Sequence, residues 1–257
     1  MLAPIVLLAA GKRFFTAPRK VIVWSLLVGA IGLAGSNFFY YYAIQKTSVA
    51  PAIVLQYCAP IWVLIYMVAR KLQRATPARM LGVAFAVVGI ALAIGLIGHA
   101  PLHLDLLGAL AAEAAGVCFA FYNVAGSALV HRTAPLTVFL YASLGAALLW
   151  VVLNPPWRVV HEGHTAPQWA FLFAFAAISM LLPFLLYLSG LRRLDATSAI
   201  VTSCLEPVFA IVLAAIFVRE HIGWLQAVGI ALVLAATVII QKPATEAHVT
   251  EPEAAHA

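Results

Sequence analysis

Two carboxylate side chains, Glu113 and Glu206, lie deep inside apolar stretches of this sequence, which has 9 Asp and Glu residues in all. An ionised carboxylate in hydrocarbon costs about 3 kcal/mol or more. Neither glutamate has a Lys or Arg at a similar depth in its own or another apolar stretch. Each could therefore take up a proton or bind a cationic group of a substrate. The alternative is a protonated carboxyl group that is hydrogen-bonded between helices.

Both glutamates share a helical face with small and polar residues, because steps of three or four residues lie on one side of an α-helix. The first face consists of Ala109, Glu113, Gly116, Ala120, Asn123 and Ser127, and the second of Ala199, Ser203, Glu206, Ala210 and Ala214. Small residues alone would indicate close helix packing. A carboxylate beside an amide favours a cavity, so Glu113, Asn123, Ser203 and Glu206 are predicted to bind or translocate a substrate.

A third candidate group is polar and aromatic, and it consists of Asn37, Tyr40, Tyr41, Tyr42, Pro183 and Tyr187. Gln56 lies in the next apolar stretch and could face the same space. A pocket with aromatic walls suits an organic substrate, including a cationic one that approaches the ring faces. Structural anchoring of the helices is the alternative role for these aromatic side chains.

Two prolines in the middle of apolar stretches, Pro60 and Pro207, are candidate hinges. Each lacks an N–H group and so frees a backbone carbonyl, which bends a helix. A static kink is the alternative interpretation.

The elements that carry these residues are predicted to be membrane-spanning helices. The chain is 65% apolar and 9% charged, with a mean hydropathy of +1.03. Soluble domains usually carry about 25% charged residues. The apolar runs are about 17 to 25 residues long without period-two alternation, which is typical of transmembrane helices and not of barrel strands.

We predict an all-α polytopic membrane protein with eight full spans and a partial N-terminal one. The partial segment is Met1 to Ala10, and the residues after 241 are predicted to form a disordered tail. The full spans are Val21 to Ala43, Val49 to Ala69, Met80 to Ile97, Leu106 to Val130, Leu136 to Leu153, Trp169 to Gly190, Thr197 to Phe217 and Trp224 to Ile240.

The basic residues alternate between the two sides that these spans define. Twelve Lys and Arg residues fall on one side, and Lys46, Arg158 and Arg219 fall on the other. Short cytoplasmic loops carry the excess of positive charge, so the larger set and the C-terminal tail are predicted to be cytoplasmic. The formal net charge of +6 is then a feature of topology, and no nucleic-acid partner is expected.

A shift of 147 residues aligns the stretch from Tyr40 to Ala91 with the stretch from Tyr187 to Val238 without a gap. Pro60 meets Pro207 in this alignment, and Gly82 meets Gly229. The offset is five spans, an odd number, so the two halves are predicted to be inverted. Inverted repeats place a substrate site near the middle of the bilayer in many secondary transporters.

These residues resemble the closing helices of an EamA-type transporter of the drug/metabolite transporter superfamily. The resemblance rests on the stretch 203–209 (SCLEPVF), on 217–222 (FVREHI), and on Gln226 and Gly229. The first half echoes it with Gln56, Pro60 and Gly82 but carries Lys71 and Gln73 where the family often has a glutamate. The family has ten helices in two inverted five-helix repeats, with both termini in the cytoplasm.

The resemblance implies repeats over residues 1–97 and 104–241 and a cytoplasmic tail over 242–257. This chain matches the last eight helices and the end of the second, so the first helix of the family plan is expected to be missing. Either the start codon is set too late or the protein is naturally truncated.

The function expected from these features is secondary transport of small organic metabolites or drugs by alternating access, driven by a proton or by exchange. The expected partners are a small-molecule substrate and the lipid bilayer of the cell membrane, and a homodimer is left open. Two alternatives are a membrane enzyme of lipid or headgroup chemistry and a non-transporting membrane protein. The enzyme is disfavoured because no span holds an Asp or a Ser with a His at its depth.

No cofactor and no metal are expected. His99 with His103 and His161 with His164 have helical spacing, but they lie in loops without Cys or Asp companions in suitable positions. The sequence also lacks a phosphate-binding loop, so the chain is not expected to hydrolyse ATP.

Overall fold

The computed structural model describes residues 16–47, 49–96, 105–161, 163–219 and 221–241. The apolar segment Met1 to Ala10, the tail 242–257 and the histidines His99 and His103 lie outside the described residues. The described part is helical and contains no strand. Its helices are α1 Arg19–Lys46, α2 Val49–Ala69, α3 Pro77–Ala93, α4 Leu106–Val130, α5 Pro135–Leu153, α6 Pro156–His161, α7 Ala166–Gly190, α8 Ala196–Phe217 and α9 Trp224–Gln241.

Seven of these helices are long and apolar enough to cross a membrane, by length and composition. The exceptions within the described residues are the short helix α6 and α3, which is apolar but has 17 residues. At 1.5 Å per residue α3 measures about 25 Å, against a hydrocarbon core of about 30 Å. The predicted all-α membrane fold is therefore confirmed, whereas the count of eight full spans stays a prediction.

Capping residues define the N-termini of two of the helices. Thr76 caps α3 by accepting a hydrogen bond from the backbone N–H of Arg79, and Pro77 follows at the first helical position. Proline is favoured there because the first turn needs no N–H donor. Asp195 caps α8 by accepting bonds from the backbone N–H groups of Thr197 and Ser198.

Four of the long helices are interrupted near their middles. Helices α1 and α7 each contain a π-helical stretch, at Val28–Gly35 and Ala177–Leu181. Helices α2 and α8 are broken just before Pro60 and Pro207, so that α2 divides into Val49–Gln56 and Ala59–Ala69, and α8 into Ala196–Ser203 and Leu205–Phe217. Each proline removes one backbone donor and crowds the preceding turn, which accounts for the position of the two breaks.

Close helix crossings hold the bundle together. Helices α3 and α9 cross at Gly89 and Gly229, where a Cβ atom on Gly229 would overlap the backbone of Ala93 and Gly89. Helices α1 and α5 cross in the same way at Gly29, whose Cβ would overlap the backbone of Ala142. Small residues permit such approaches in membranes, where van der Waals packing drives helix association.

The main buried cluster surrounds α4 and contains Val28, Tyr122, Val138 and Leu188. The outer surface of the bundle carries many exposed large apolar side chains, including Phe171, Ile178 and Phe217. A soluble protein rarely presents so much apolar surface to water, so lipid is the solvent that fits this surface.

Candidate binding cavity

A cavity of about 550 Å³ lies between α1, α2, α4, α7 and α8. This volume falls within the usual range for small-molecule sites, roughly 300–1,000 Å³. Its polar lining residues are Ser36, Asn37, Tyr40, Tyr41, Gln56, Tyr57, Tyr122, Ser179, Tyr187, Ser203 and Glu206. We call this space the binding cavity.

Most of the residues singled out from the sequence lie on the wall of the binding cavity. They are Asn37, Tyr40, Tyr41, Gln56, Pro183, Tyr187, Ser203, Glu206 and Pro207. The lining does not include Glu113, Asn123 or Pro60, all of which lie in the described part of the chain.

The breaks in α2 and α8 bring two of the lining residues into contact. The hydroxyl of Tyr57 donates a hydrogen bond to Oε2 of Glu206, at 3.0 Å. Tyr57 lies in the break between Gln56 and Ala59, and Glu206 lies just after the break in α8. Tyr57 was not among the residues predicted from the sequence, although it neighbours Gln56 and aligns with Cys204 under the 147-residue shift.

A second set of hydrogen bonds fixes Gln56. Its side-chain Nε2 donates to Oγ of Ser36 at 3.1 Å, and that hydroxyl donates to the backbone carbonyl of Ala115 at 3.0 Å. These bonds connect α2 to α1 and α4. The amide of Gln56 is therefore held in one orientation at the cavity wall.

Asn123 lies behind the wall and not on it. Its side chain is fully buried, and its Nδ2 donates to the hydroxyl of Tyr187. Tyr187 also stacks between Phe119 and Tyr122, with ring centroids 6.4 and 6.1 Å away. Asn123 therefore positions a lining phenol, while its own Oδ1 has no hydrogen-bond partner among the described residues.

Glu113 is directed to a different part of the bundle. Its Oε2 accepts a hydrogen bond from Nε1 of Trp62, at 3.0 Å. Trp62 lies in the second half of α2. The side chain is half-buried. Glu113 and Glu206 thus lie in separate surroundings, each with one aromatic donor.

Among the described residues that line the binding cavity, Glu206 is the one with a charged type of side chain, because the lining holds no Lys, Arg, Asp or second Glu. In its ionised form this exposed side chain gives the cavity a negative potential. Such a site attracts a cationic or ammonium group, and the phenol rings around it offer further stabilisation through their faces. Within the described ranges no three His, Cys, Asp or Glu side chains are grouped so that they could hold a metal ion.

The sequence profile of the EamA-like transporter family matches residues 1–95 and 106–241 of this chain. The chain belongs to the EamA-like transporter family. The two matched segments together account for most of its length, and the resemblance seen in the motifs around Pro207 is thereby confirmed.

Relatives with this sequence pattern are bacterial transporters. The threonine/homoserine exporter RhtA of Salmonella typhimurium (strain SL1344) is 29% identical over 239 residues, which cover 92% of this chain and 77% of that protein. RhtA of Escherichia coli (strain K12) is 28% identical over the same length. The uncharacterized inner membrane transporter YhbE of Escherichia coli (strain K12) is 28% identical over 139 residues, 52% of this chain and 42% of its own.

A solved crystal structure shares the fold. It superposes with a TM-score of 0.73 at 23% identity and covers 93% of this chain and 82% of its own. The family match and the exporter relatives make this EamA-like chain a secondary transporter of small metabolites and not an enzyme. With its long apolar helices it is a multi-pass membrane protein.

Proposed function

We propose that the binding cavity is the substrate site of this transporter and that two inverted repeats, 1–97 and 104–241, open it to alternate sides of the membrane. One observation carries the proposal: residues related by the 147-residue shift line the same cavity. Within the aligned stretch these pairs are Tyr40 with Tyr187 and Gln56 with Ser203, and the same shift continued toward the N-terminus adds Gly32 with Ser179, Ser36 with Pro183, and Asn37 with Phe184. Pairs from two equivalent halves that meet around one space support a site on the pseudo-twofold axis.

The proposed substrate is a small metabolite with a protonated amine, and its proposed direction is export. Glu206 supplies the negative charge that an ammonium group needs, and the amides of Asn37 and Gln56 supply donors for a carboxylate or hydroxyl. The relatives named threonine/homoserine exporters support a substrate that is an amino acid similar in size to threonine. Asn123 serves the site by holding Tyr187 in place.

The proposed hinges are the helix breaks at Pro60 and Pro207. A break before a proline concentrates bending at one turn, because that turn lacks a backbone hydrogen bond. Pro60 does not line the binding cavity, so replacing Pro60 by Ala should slow substrate exchange without changing its half-saturating concentration. A static kink would instead lower the melting temperature and leave the exchange rate of the folded protein unchanged.

Purified protein in liposomes tests the proposed site. Vesicles loaded with unlabelled threonine should accumulate labelled threonine by exchange, and Glu206→Gln should abolish this exchange because the ammonium group loses its counter-charge. Wild-type exchange in Glu206→Gln would exclude Glu206 as the substrate contact. No exchange of any amino acid by the wild type would instead exclude an amino acid as the substrate.

Glu113 is proposed as the proton site, and the same vesicles separate it from Glu206. Glu113→Gln keeps the shape and the bond to Trp62 but cannot titrate. It should lose accumulation driven by a pH gradient and retain exchange at equal pH. If Glu113→Gln still concentrates substrate at the wild-type rate, the carboxyl group is a packing element between α4 and α2.

The proposed location is a bacterial inner membrane. The C-terminus and the basic loops are proposed to lie on its cytoplasmic side. The loop between α2 and α3 carries Arg70, Lys71 and Arg74, and the turn after α7 carries Arg192 and Arg193. This excess of basic residues supports a cytoplasmic location for that end. The homodimer also stays a proposal, which the mass of the protein in detergent would test.

A further inference from the structure

A second cavity, of about 980 Å³, lies between the first part of α1, the second part of α2 and the second half of α4. It shares no lining residue with the binding cavity. Its walls are apolar and aromatic, and they include Trp24, Trp62, Ile65, Tyr66, Val117 and Phe121. We call this space the lateral groove, because Trp24, Ile65 and Tyr66 are also exposed on the outside of the bundle.

Two basic side chains lie at one end of the lateral groove. Lys20 is the second residue of α1, and Arg132 follows the last residue of α4 by two positions. Both are exposed, and neither makes an ion pair with an acidic side chain of the described residues. Ala196, the first residue of α8, lines the same end, so the two charges lie at the depth where helices emerge from the bilayer.

The length of the groove matches one leaflet of a bilayer. It extends along α4 from Val117 to Arg132, which is about 22 Å at 1.5 Å per residue. Half of the hydrocarbon core is about 15 Å, so the groove reaches from the middle of the bilayer to the headgroup layer. A spanning helix of a partner protein would need the full thickness, whereas a single phospholipid needs one leaflet.

We infer that the lateral groove binds one anionic phospholipid. Its acyl chains lie against Val117, Phe121 and Ile65, and its phosphate lies between the cationic groups of Lys20 and Arg132. Anionic lipids attract Lys and Arg near the membrane surface, and aromatic side chains such as Trp24 favour the interfacial layer. This site is independent of the proposed transport of amines.

Native mass spectrometry of the full-length protein in detergent, titrated with phosphatidylglycerol or phosphatidylcholine, tests the inference. The wild type should bind one phosphatidylglycerol molecule tightly and bind phosphatidylcholine more weakly. The double variant Lys20→Gln/Arg132→Gln should lose about thirtyfold in affinity for phosphatidylglycerol. The matched control is Arg192→Gln/Arg193→Gln, which removes two exposed charges from the same end without touching the groove.

Three outcomes would overturn the inference: equal losses in the two double variants, equal affinity for the two lipids, or tight binding of glycerol phosphate without acyl chains. A further variant addresses the apolar wall. Ala128 lines the groove and is exposed, so Ala128→Trp fills the groove without disturbing buried packing. It should weaken binding of phosphatidylglycerol while both basic residues remain, and unchanged binding would place the lipid elsewhere.

Discussion

The hydrogen bond between Tyr57 and Glu206 connects the two broken helices at the wall of the binding cavity. This bond goes to Oε2, and within the part of the chain that the structure describes Oε1 accepts no hydrogen bond, so Oε1 could accept one from the proposed substrate amine. A carboxylate that accepts one fixed donor has a defined orientation, which favours binding of a cation in one position. We therefore propose that Tyr57 is a positioning residue for Glu206.

Replacing Tyr57 by Phe should weaken substrate binding, because the carboxylate of Glu206 loses its fixed orientation. A hydrogen bond of this kind contributes about 1 kcal/mol, so the half-saturating concentration for exchange should rise about fivefold. The measurement is the concentration dependence of threonine exchange in liposomes. Tyr41→Phe is the control, since Tyr41 lines the cavity without a bond to Glu206. Equal effects of the two variants would contradict a positioning role.

At the scale of helices, the crossing of α3 and α9 depends on two glycines. A Cβ on Gly229 would overlap the backbone oxygen of Gly89 and the backbone of Ala93. Backbone atoms cannot rotate away as a flexible side chain can, so the helices themselves must separate. This crossing joins the last described helices of the two proposed repeats.

Gly229→Ala should destabilise the protein by about 1–3 kcal/mol, the usual cost of overpacking. The expected result is a lower melting temperature in detergent and less folded protein in the membrane. Gly190→Ala is the matched control, because a Cβ on Gly190 would meet nothing within 4 Å. A melting temperature for Gly229→Ala equal to that of the control would show that α3 and α9 tolerate a wider separation.

At the scale of the whole molecule, a polar network joins the two proposed repeats at one end of the bundle. Gln73 donates to Asp195 at 2.8 Å and accepts a bond from the hydroxyl of Thr197, and Arg79 lies 3.8 Å from the same carboxylate. The ion pair is partly exposed and contributes little by itself. The hydrogen bonds of Gln73 are more specific, because its amide donates to the carboxylate of Asp195 and accepts from the hydroxyl of Thr197 at the same time.

Gln73→Glu should open this end, since a second carboxylate would then face Asp195. Ser203 lies on α8 seven residues beyond Ala196, or about 10 Å further in, so a cysteine placed there reports access to the cavity. Its labelling by an impermeant maleimide, with native cysteines replaced, should become several times faster. The swap Gln73→Glu/Asp195→Asn restores one donor and one acceptor and should return labelling to the original rate. An unchanged rate in Gln73→Glu would exclude the network as a gate.

The orientation of the whole molecule is tested by reporter fusions. Fusions at positions 16, 75 and 245 should all report the cytoplasm, and one at position 162 should report the opposite side. The helices α3, α4 and α5 and the short helix α6 lie between position 75 and position 162. Because α6 has 6 residues and is too short to span, the two positions lie on opposite sides if α3, α4 and α5 each span. A cytoplasmic signal at 162 would contradict both the orientation and the inverted repeat.

Hydropathy and charge were sufficient to predict the helical membrane fold and the approximate bounds of most spans. The predicted spans Val49 to Ala69 and Leu106 to Val130 coincide with helices α2 and α4. The prediction of the spans succeeds because the bilayer requires the same length and the same apolar surface of every span. Both are local properties of the sequence. The family motifs around Glu206 and Pro207 are local in the same sense.

The surroundings of each polar side chain could not be predicted in this way, because they depend on how helices rotate and cross. Glu113 and Asn123 share one predicted face of α4, yet Glu113 meets Trp62 and Asn123 meets Tyr187 behind the cavity wall. Almost every face of these helices is apolar enough to contact lipid, so hydropathy does not determine which face is buried. Packing between small residues determines how each helix is rotated about its own axis. The contact between Tyr57 and Glu206 joins residues 149 positions apart, and only the tertiary arrangement of the two broken helices brings them together.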